Sequence, residues 1–157
     1  MELALRHIDS TNKDAIESLD VSDFQKQYIA SNKKSLETAA EEEYREIARP
    51  FAICADGNII GFTMFAFDLA SDNPKDRYWL WRFMIDENWQ GKGYGSAALE
   101  KIISYFKDHG ADHILLSTKE TNTAALSLYR KYRFAETGEM NGEEIVLRLS
   151  DFTDFMR

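Results

Sequence analysis

The sequence predicts a mixed α/β fold: a mostly antiparallel central sheet with helices on both faces. Three observations predict it. Early strands run as a meander, turning through Asp56-Gly57-Asn58. Two strand–helix units follow, the first with a run of glycines between strand and helix. The chain then closes on a second hairpin through Asn141-Gly142.

Taken in order, Leu3 to Ile8 alternates as a first strand, and Asn12–Leu19 and Ser22–Ala30 read as two short helices. A third helix begins at Ser35, where Ser35 and Thr38 give a partial capping signal, and ends before Pro50. Phe51–Ala55 and Ile59–Phe67 are strands. Asp68–Asp76 is a polar loop and Arg77–Ile85 a strongly aromatic strand. Ala98, Leu99, Ile102, Ile103 and Phe106 recur at helical spacing up to a stop at Gly110. His113–Ser117 is a short buried-type strand, and Asn122–Tyr132 is a helix. Phe134–Met140 and Glu143–Leu149 form the closing hairpin.

Length and composition bound the function. The 157 residues predict one domain, 1–157, with a substantial core. With 44% hydrophobic and 29% charged residues, the chain reads as globular and soluble. Its apolar runs are too short to cross a bilayer, and no basic leader opens it. One cysteine, Cys54, between apolar neighbours, predicts core packing and fits a reducing cytoplasm. His7, His109 and His113 lack metal-ligand spacing, so no metal site is expected. A formal net charge of −8 disfavours nucleic-acid partners and favours cations.

Two motifs carry chemistry. The first is Gln90-Gly91-Lys92-Gly93-Tyr94-Gly95, a glycine-rich loop between a strand and a helix. Glycine permits positive φ and close backbone approach. The amides at a helix start point outward unpaired, which suits a phosphate or pyrophosphate. Neither the dinucleotide fingerprint nor the P-loop spacing is present, and a tight turn without ligand would also use glycines. The second motif is Asn122-x-x-Ala125-x-x-Leu128-Tyr129-x-Lys131, then Phe134. Asn122, Ala125 and Tyr129 share a helix face, with Asn122 placed to cap.

Together these motifs resemble the GNAT superfamily of acyl-CoA-dependent N-acetyltransferases, over most of the chain. Tyr28-Ile29-Ala30-Ser31-Asn32-Lys33-Lys34-Ser35-Leu36 and Tyr78-Trp79-Leu80-Trp81-Arg82-Phe83-Met84-Ile85-Asp86 are similar to segments of bacterial spermine/spermidine acetyltransferases. The resemblance implies the GNAT fold with a splayed strand pair, and acetyl-CoA as cosubstrate. Backbone amides from Gln90 through Gly91, Lys92, Gly93, Tyr94, Gly95 and Ser96 would hold the CoA pyrophosphate. The strand ending at Met84 and Ile85 would pair with the pantetheine arm, opened by a bulge. Asn122 and Ala125 would flank the thioester, and Lys131 would approach the CoA phosphates. Tyr129 matches the family's general acid, which protonates the leaving thiolate. A strand amide near Met84 would steady the oxyanion. Arg133 departs from the family's glycine, so that helix end must terminate differently or accept strain.

The implied reaction is acetyl transfer to a primary amine by direct attack in a ternary complex, with polyamines such as spermidine and spermine as favoured acceptors. A protein N-terminus, a lysine, an amino sugar and a non-catalytic CoA-binding module are the rival readings. Dimers are common in the family, so a homodimer is an expectation that no residue here locates. Glu37 and Glu41, one helical turn apart, would offer two carboxylates to a polycation, as would Asp68 and Asp72. Trp81, with Trp79 and Tyr78, would add cation–π contacts, although at least two of these three are expected in the core. Asp86 and Glu87, just beyond the strand, would act on the amine through water, and a solvated loop accounts for them equally well. The general base stays unassigned, and Arg82 is expected to be structural and paired with an acid.

Overall fold

A computed structural model describes residues 2–152. Seven strands form one sheet in the order β1-β2-β3-β4-β5-β7-β6. They are β1 (Leu3–His7), β2 (Ala48–Ala55), β3 (Asn58–Phe67), β4 (Tyr78–Ile85), β5 (Ile114–Thr118), β6 (Ala135–Asn141) and β7 (Glu144–Leu149). The four α-helices are α1 (Lys13–Ser18), α2 (Asn32–Ala40), α3 (Tyr94–Asp108) and α4 (Thr123–Lys131). Every neighbouring pair is antiparallel except β4 and β5, which are parallel.

The core lies on both faces of the sheet. On one face Leu99, Ile102, Ile103 and Phe106 of α3 are fully buried against Phe65, Leu80 and Ile114. Each such side chain contributes roughly 1.5–3 kcal/mol on burial. Leu126 of α4 joins this cluster. On the other face Ile16 of α1 and Leu36 of α2 pack with Phe62, Met64 and Met84. Cys54 is buried there as expected, and burial raises its thiol pKa.

Three expectations need correction in the α1–β2 region. Ser22–Ala30 forms no α-helix; only a 3-10 turn at Gln25–Gln27 appears. The third helix begins at Asn32, and Ser31 caps it by accepting from the Lys34 N–H at 3.1 Å. It ends at Ala40, and β2 starts at Ala48, so Pro50 lies inside a strand. The sheet tolerates this proline because β1 pairs with β2 only from Phe51 onward, leaving the Pro50 outer edge without a partner.

Two helix ends follow one pattern. At α3, the Gly110 N–H reaches Lys107 O at 3.0 Å and the Ala111 N–H reaches Phe106 O at 2.9 Å, with Gly110 at φ 88°. At α4, the Arg133 N–H reaches Arg130 O at 2.9 Å and the Phe134 N–H reaches Tyr129 O at 3.0 Å. Both are Schellman endings. Arg133 therefore takes the glycine conformation, φ 71°, and carries its strain. The accompanying apolar contact is Tyr129 against Phe134, with ring centroids 5.7 Å apart.

Candidate active site

Strand β4 splits the sheet. Its register with β3 jumps between Met64↔Arg82 and Phe65↔Leu80, leaving Trp81 as an extra residue. Such a bulge bends the strand and sharpens its twist. Arg82 and Trp81 consequently both face α2: the Arg82 Nε donates to Ser35 Oγ at 3.2 Å, and Trp81 packs in the α1–α2 cluster. On the other side β4 meets β5 at one ladder position, Trp79↔Leu115, and then diverges.

The divergence leaves backbone groups of β4 without a neighbouring strand. The Met84 carbonyl points at β3, where a Cβ on Gly61 would meet it at 2.4 Å. Asp86 N–H likewise reaches across to Ile60 O. Strand alternation then turns the polar groups of Phe83 and Ile85 toward the gap. The Ile85 carbonyl accepts the Gln90 Nε2 at 2.8 Å, consistent with that direction. Phe83, to which the sequence assigned no role, thus joins Ile85 at the gap, while the Met84 amide turns to β3.

The glycine loop closes the far end of the gap. Gly91 and Gly93 have φ 75° and 87°, and Gly93 is the N-cap residue just before α3. Gly95 and Ser96 lie within the first helical turn. The first helical bond comes from the Ala97 N–H to Gly93 O. Among the described residues, the amides of Gly91 through Ser96 donate to no protein group. A row of unpaired amides at a helix N-terminus, with glycines that keep side chains away, fits an anionic phosphate group. Gln90 contributes differently: its own N–H bonds Glu87 O, and its side chain ties the loop to Ile85 O and Gln25 Oε1. The Lys92 Nζ folds back on Asn88 O at 3.3 Å.

Helix α4 forms the opposite wall. A slot of about 320 Å³ runs between β4 and α4, lined by Phe83, Ile85, Gly91, Gly95, Ala125 and Tyr129. A wider cleft of about 640 Å³ adjoins it. Tyr28, Ile29, Phe83, Asn122, Ala125 and Tyr129 line both, so the two spaces meet at these side chains. Burial pushes the Tyr129 phenol above the ordinary tyrosine range, which keeps it protonated. Among the described residues its hydroxyl has no protein hydrogen bond. Asn122 precedes α4 but makes no side-chain cap; its Nδ2 donates to Thr118 Oγ1 at 3.2 Å. Tyr28 Oη donates to Thr121 Oγ1 at 3.2 Å, bridging the 3-10 turn and the β5–α4 loop.

The wider cleft is acidic and aromatic. Trp79, Trp81 and Tyr44 line it, with Asp76, Glu139 and Glu144 as carboxylates. Trp79 and Trp81 border the cleft, while Tyr78 and Trp81 also pack against the buried clusters, as expected of two of the three strand aromatics. Arg82 lines it too and ion-pairs with no acid among the described residues. Burial depresses its pKa, opposed by the charge of Glu144.

Several sequence candidates fall outside these walls. Glu37 is exposed, Glu41 is the residue beyond α2, and neither lines the cleft. They do not share a helix face, because α2 ends at Ala40. Asp68 and Asp72 do not line it either. Asp86 is buried and structural: Oδ1 accepts from the Asp20 N–H at 2.9 Å and Oδ2 from the Asn88 N–H at 3.2 Å. Lys131 is exposed, its Nζ 5.6 Å from the Tyr132 ring centroid. Among the described residues no group of three or more His, Cys, Asp or Glu gathers for a metal ion, and no helix is long and apolar enough to cross a membrane.

Residues 13–134 match the acetyltransferase (GNAT) family. Over 153 residues the chain is 35% identical to the spermine/spermidine N(1)-acetyltransferase of Bacillus subtilis (strain 168), covering 94% of this chain and 99% of that one. The fold is similar to a spermidine N-acetyltransferase from Vibrio cholerae solved with CoA and spermine, at 22% identity and TM-score 0.67, covering 93% and 92% of the two chains. It is also similar to the ribosomal-protein-S18-alanine N-acetyltransferase from Escherichia coli, at 18% identity and TM-score 0.68, covering 94% and 93%. The chain belongs to the GNAT acetyltransferase family.

Proposed function

We propose that this GNAT acetyltransferase moves the acetyl group of acetyl-CoA to a primary amine of a polyamine, spermidine or spermine, with both substrates bound together. The observation that carries the reading is the meeting of two spaces at Tyr129. One is a narrow slot ending in unpaired loop amides; the other is an acidic, aromatic cleft. The similarity to the Bacillus subtilis polyamine acetyltransferase supports the acceptor class.

The roles follow from chemistry. Acetyl-CoA supplies the activated acyl group. The amides from Gly91 to Ser96 grip its pyrophosphate, with Gln90 fixing the loop. Phe83 and Ile85 offer strand-like hydrogen bonds to the pantetheine arm, and Asn122 and Ala125 flank it. An amide on the open edge of β4 steadies the developing oxyanion. Tyr129, protonated by its buried setting, delivers a proton to the departing sulfur. Asp76 and Glu139 of the cleft hold spare ammonium groups, and Trp79 and Trp81 face cations. Direct transfer is favoured because Cys54, buried with a raised pKa, is unsuited to carry an acetyl group.

Turnover of acetyl-CoA against spermidine, spermine, a peptide N-terminus and an amino sugar tests this. The expected order places both polyamines at least about tenfold higher in kcat/KM. Faster turnover of the peptide or the sugar removes the polyamine assignment and leaves acetyl transfer standing.

A further inference from the structure

An ammonium ion has no lone pair, so a polyamine nitrogen must lose a proton before it attacks. The strand that leads into the glycine loop holds no carboxylate; it contributes Trp81, Arg82 and Phe83. Asp86 spends both oxygens on backbone amides, and Glu87 is exposed. The proton acceptor must therefore be sought on the walls of the cleft.

Asp76, Glu139 and Glu144 are the carboxylates there. Glu139 is 58% exposed and already pairs with the Lys75 Nζ at 2.9 Å. Asp76 ends the short turn at Pro74–Asp76 and has no fixing hydrogen bond from its side chain among the described residues. Glu144 differs from both. It is half-buried at the start of β7, and its Oε1 accepts from the Ser117 Oγ at 2.7 Å. Asn141 Nδ2 in turn donates to the Ser117 Oγ at 3.2 Å. Ser117 pairs with Val146, so Ser117, Val146 and Glu144 present one face of β5–β7 to the cleft. Tyr129 borders the same cleft. The second oxygen, Oε2, has no protein partner among the described residues.

We propose that Glu144 is the general base: held through Oε1 by Ser117, it takes the proton from the acceptor ammonium at Oε2. This rests on the acetyltransferase reading and adds a residue to it. Nitrogen gives its first proton to Glu144, which passes it to solvent. The N–C bond then forms and the C–S bond breaks. Tyr129 protonates sulfur, and the second proton leaving nitrogen restores the phenol, directly or through water. One proton is released per acetyl group transferred.

Glu144→Gln tests the assignment, because the amide oxygen keeps the Ser117 hydrogen bond and the shape. With spermidine, kcat is expected to fall by about 10²-fold or more, with KM changed by less than about fivefold. The deficit should shrink as pH approaches the amine's own pKa, and also with an acceptor amine of low pKa that is already neutral in the assay. Glu144→Asp should recover part of the rate. A rise in KM with kcat intact would make Glu144 a charge anchor and overturn the proposal. So would an equal deficit at every pH and for every amine. Wild-type protein is assayed alongside: if it turns over polyamines while Glu144→Gln matches it, only the base assignment fails. If wild type acetylates no amine, the acetyltransferase reading fails with it.

Discussion

Replacing Tyr129 with phenylalanine removes one oxygen atom and separates chemistry from folding. The ring stays against Phe134, 5.7 Å between centroids. The hydroxyl makes no protein hydrogen bond among the described residues, so none is lost. Stability should therefore change by no more than about 0.5 kcal/mol, or about 1–2 °C in Tm for a chain of this size. Activity should respond far more strongly. Loss of a general acid costs about 10²–10⁴ in rate, or about 2.7–5.4 kcal/mol at 1.36 kcal/mol per decade. The pH dependence has a definite sign. Burial raises the phenol's pKa above its ordinary value near 10, so the proton is present below that and is lost only at higher pH. The wild-type to Tyr129→Phe ratio should then stay constant from about pH 6 to pH 9. The assay is CoA thiol release with spermidine at several pH values, beside a thermal melt. Turnover within about threefold of wild type, with an unchanged melt, would remove Tyr129 from the mechanism. A ratio falling across that window would show that the phenol titrates below its ordinary range.

Gly93→Val should weaken CoA binding by about tenfold or more, since Gly93 sits at φ 87° and a β-branched residue there displaces the amide row. Calorimetric titration giving wild-type affinity with the fold intact contradicts it. Gly61→Ala should destabilise by about 1–3 kcal/mol, because the new Cβ would lie 2.4 Å from the Met84 carbonyl oxygen and β3 and β4 must part. An unmoved urea midpoint refutes that contact. Arg133→Gly should stabilise by about 0.5–1 kcal/mol by relieving a positive φ of 71°. A lower Tm in that variant would show that contacts of the arginine outweigh the strain.

Much of the fold was legible in the sequence because local signals and burial agreed. The stripe Ala98, Leu99, Ile102, Ile103 and Phe106 is fully buried on α3, and Gly110 ends that helix at positive φ. Both hairpins turn where Asp56-Gly57 and Asn141-Gly142 predicted. The misreadings arose where local signals were weak. Ser31, not Ser35, caps α2, since the helix starts where tertiary packing buries Asn32 and Ser35. The acidic run Glu41-Glu42-Glu43 looked helical by propensity, yet α2 ends at Ala40. Asp86 looked available for chemistry, but its side chain holds backbone amides at positions 20 and 88.

The sequence by itself determined the glycine loop, the helix that follows it and the phenol on the next helix, since each depends on short-range rules of φ, capping and helical period. Only the tertiary structure decided what these elements enclose. The extra residue Trp81 parts β4 from β5, turns Phe83 and Ile85 to the gap and sends Trp81 and Arg82 toward α2. The register of β5 with β7 brings Glu144 to Ser117 across 27 positions of chain. No periodicity records such a pairing, because it is fixed by which strands lie side by side and in what register.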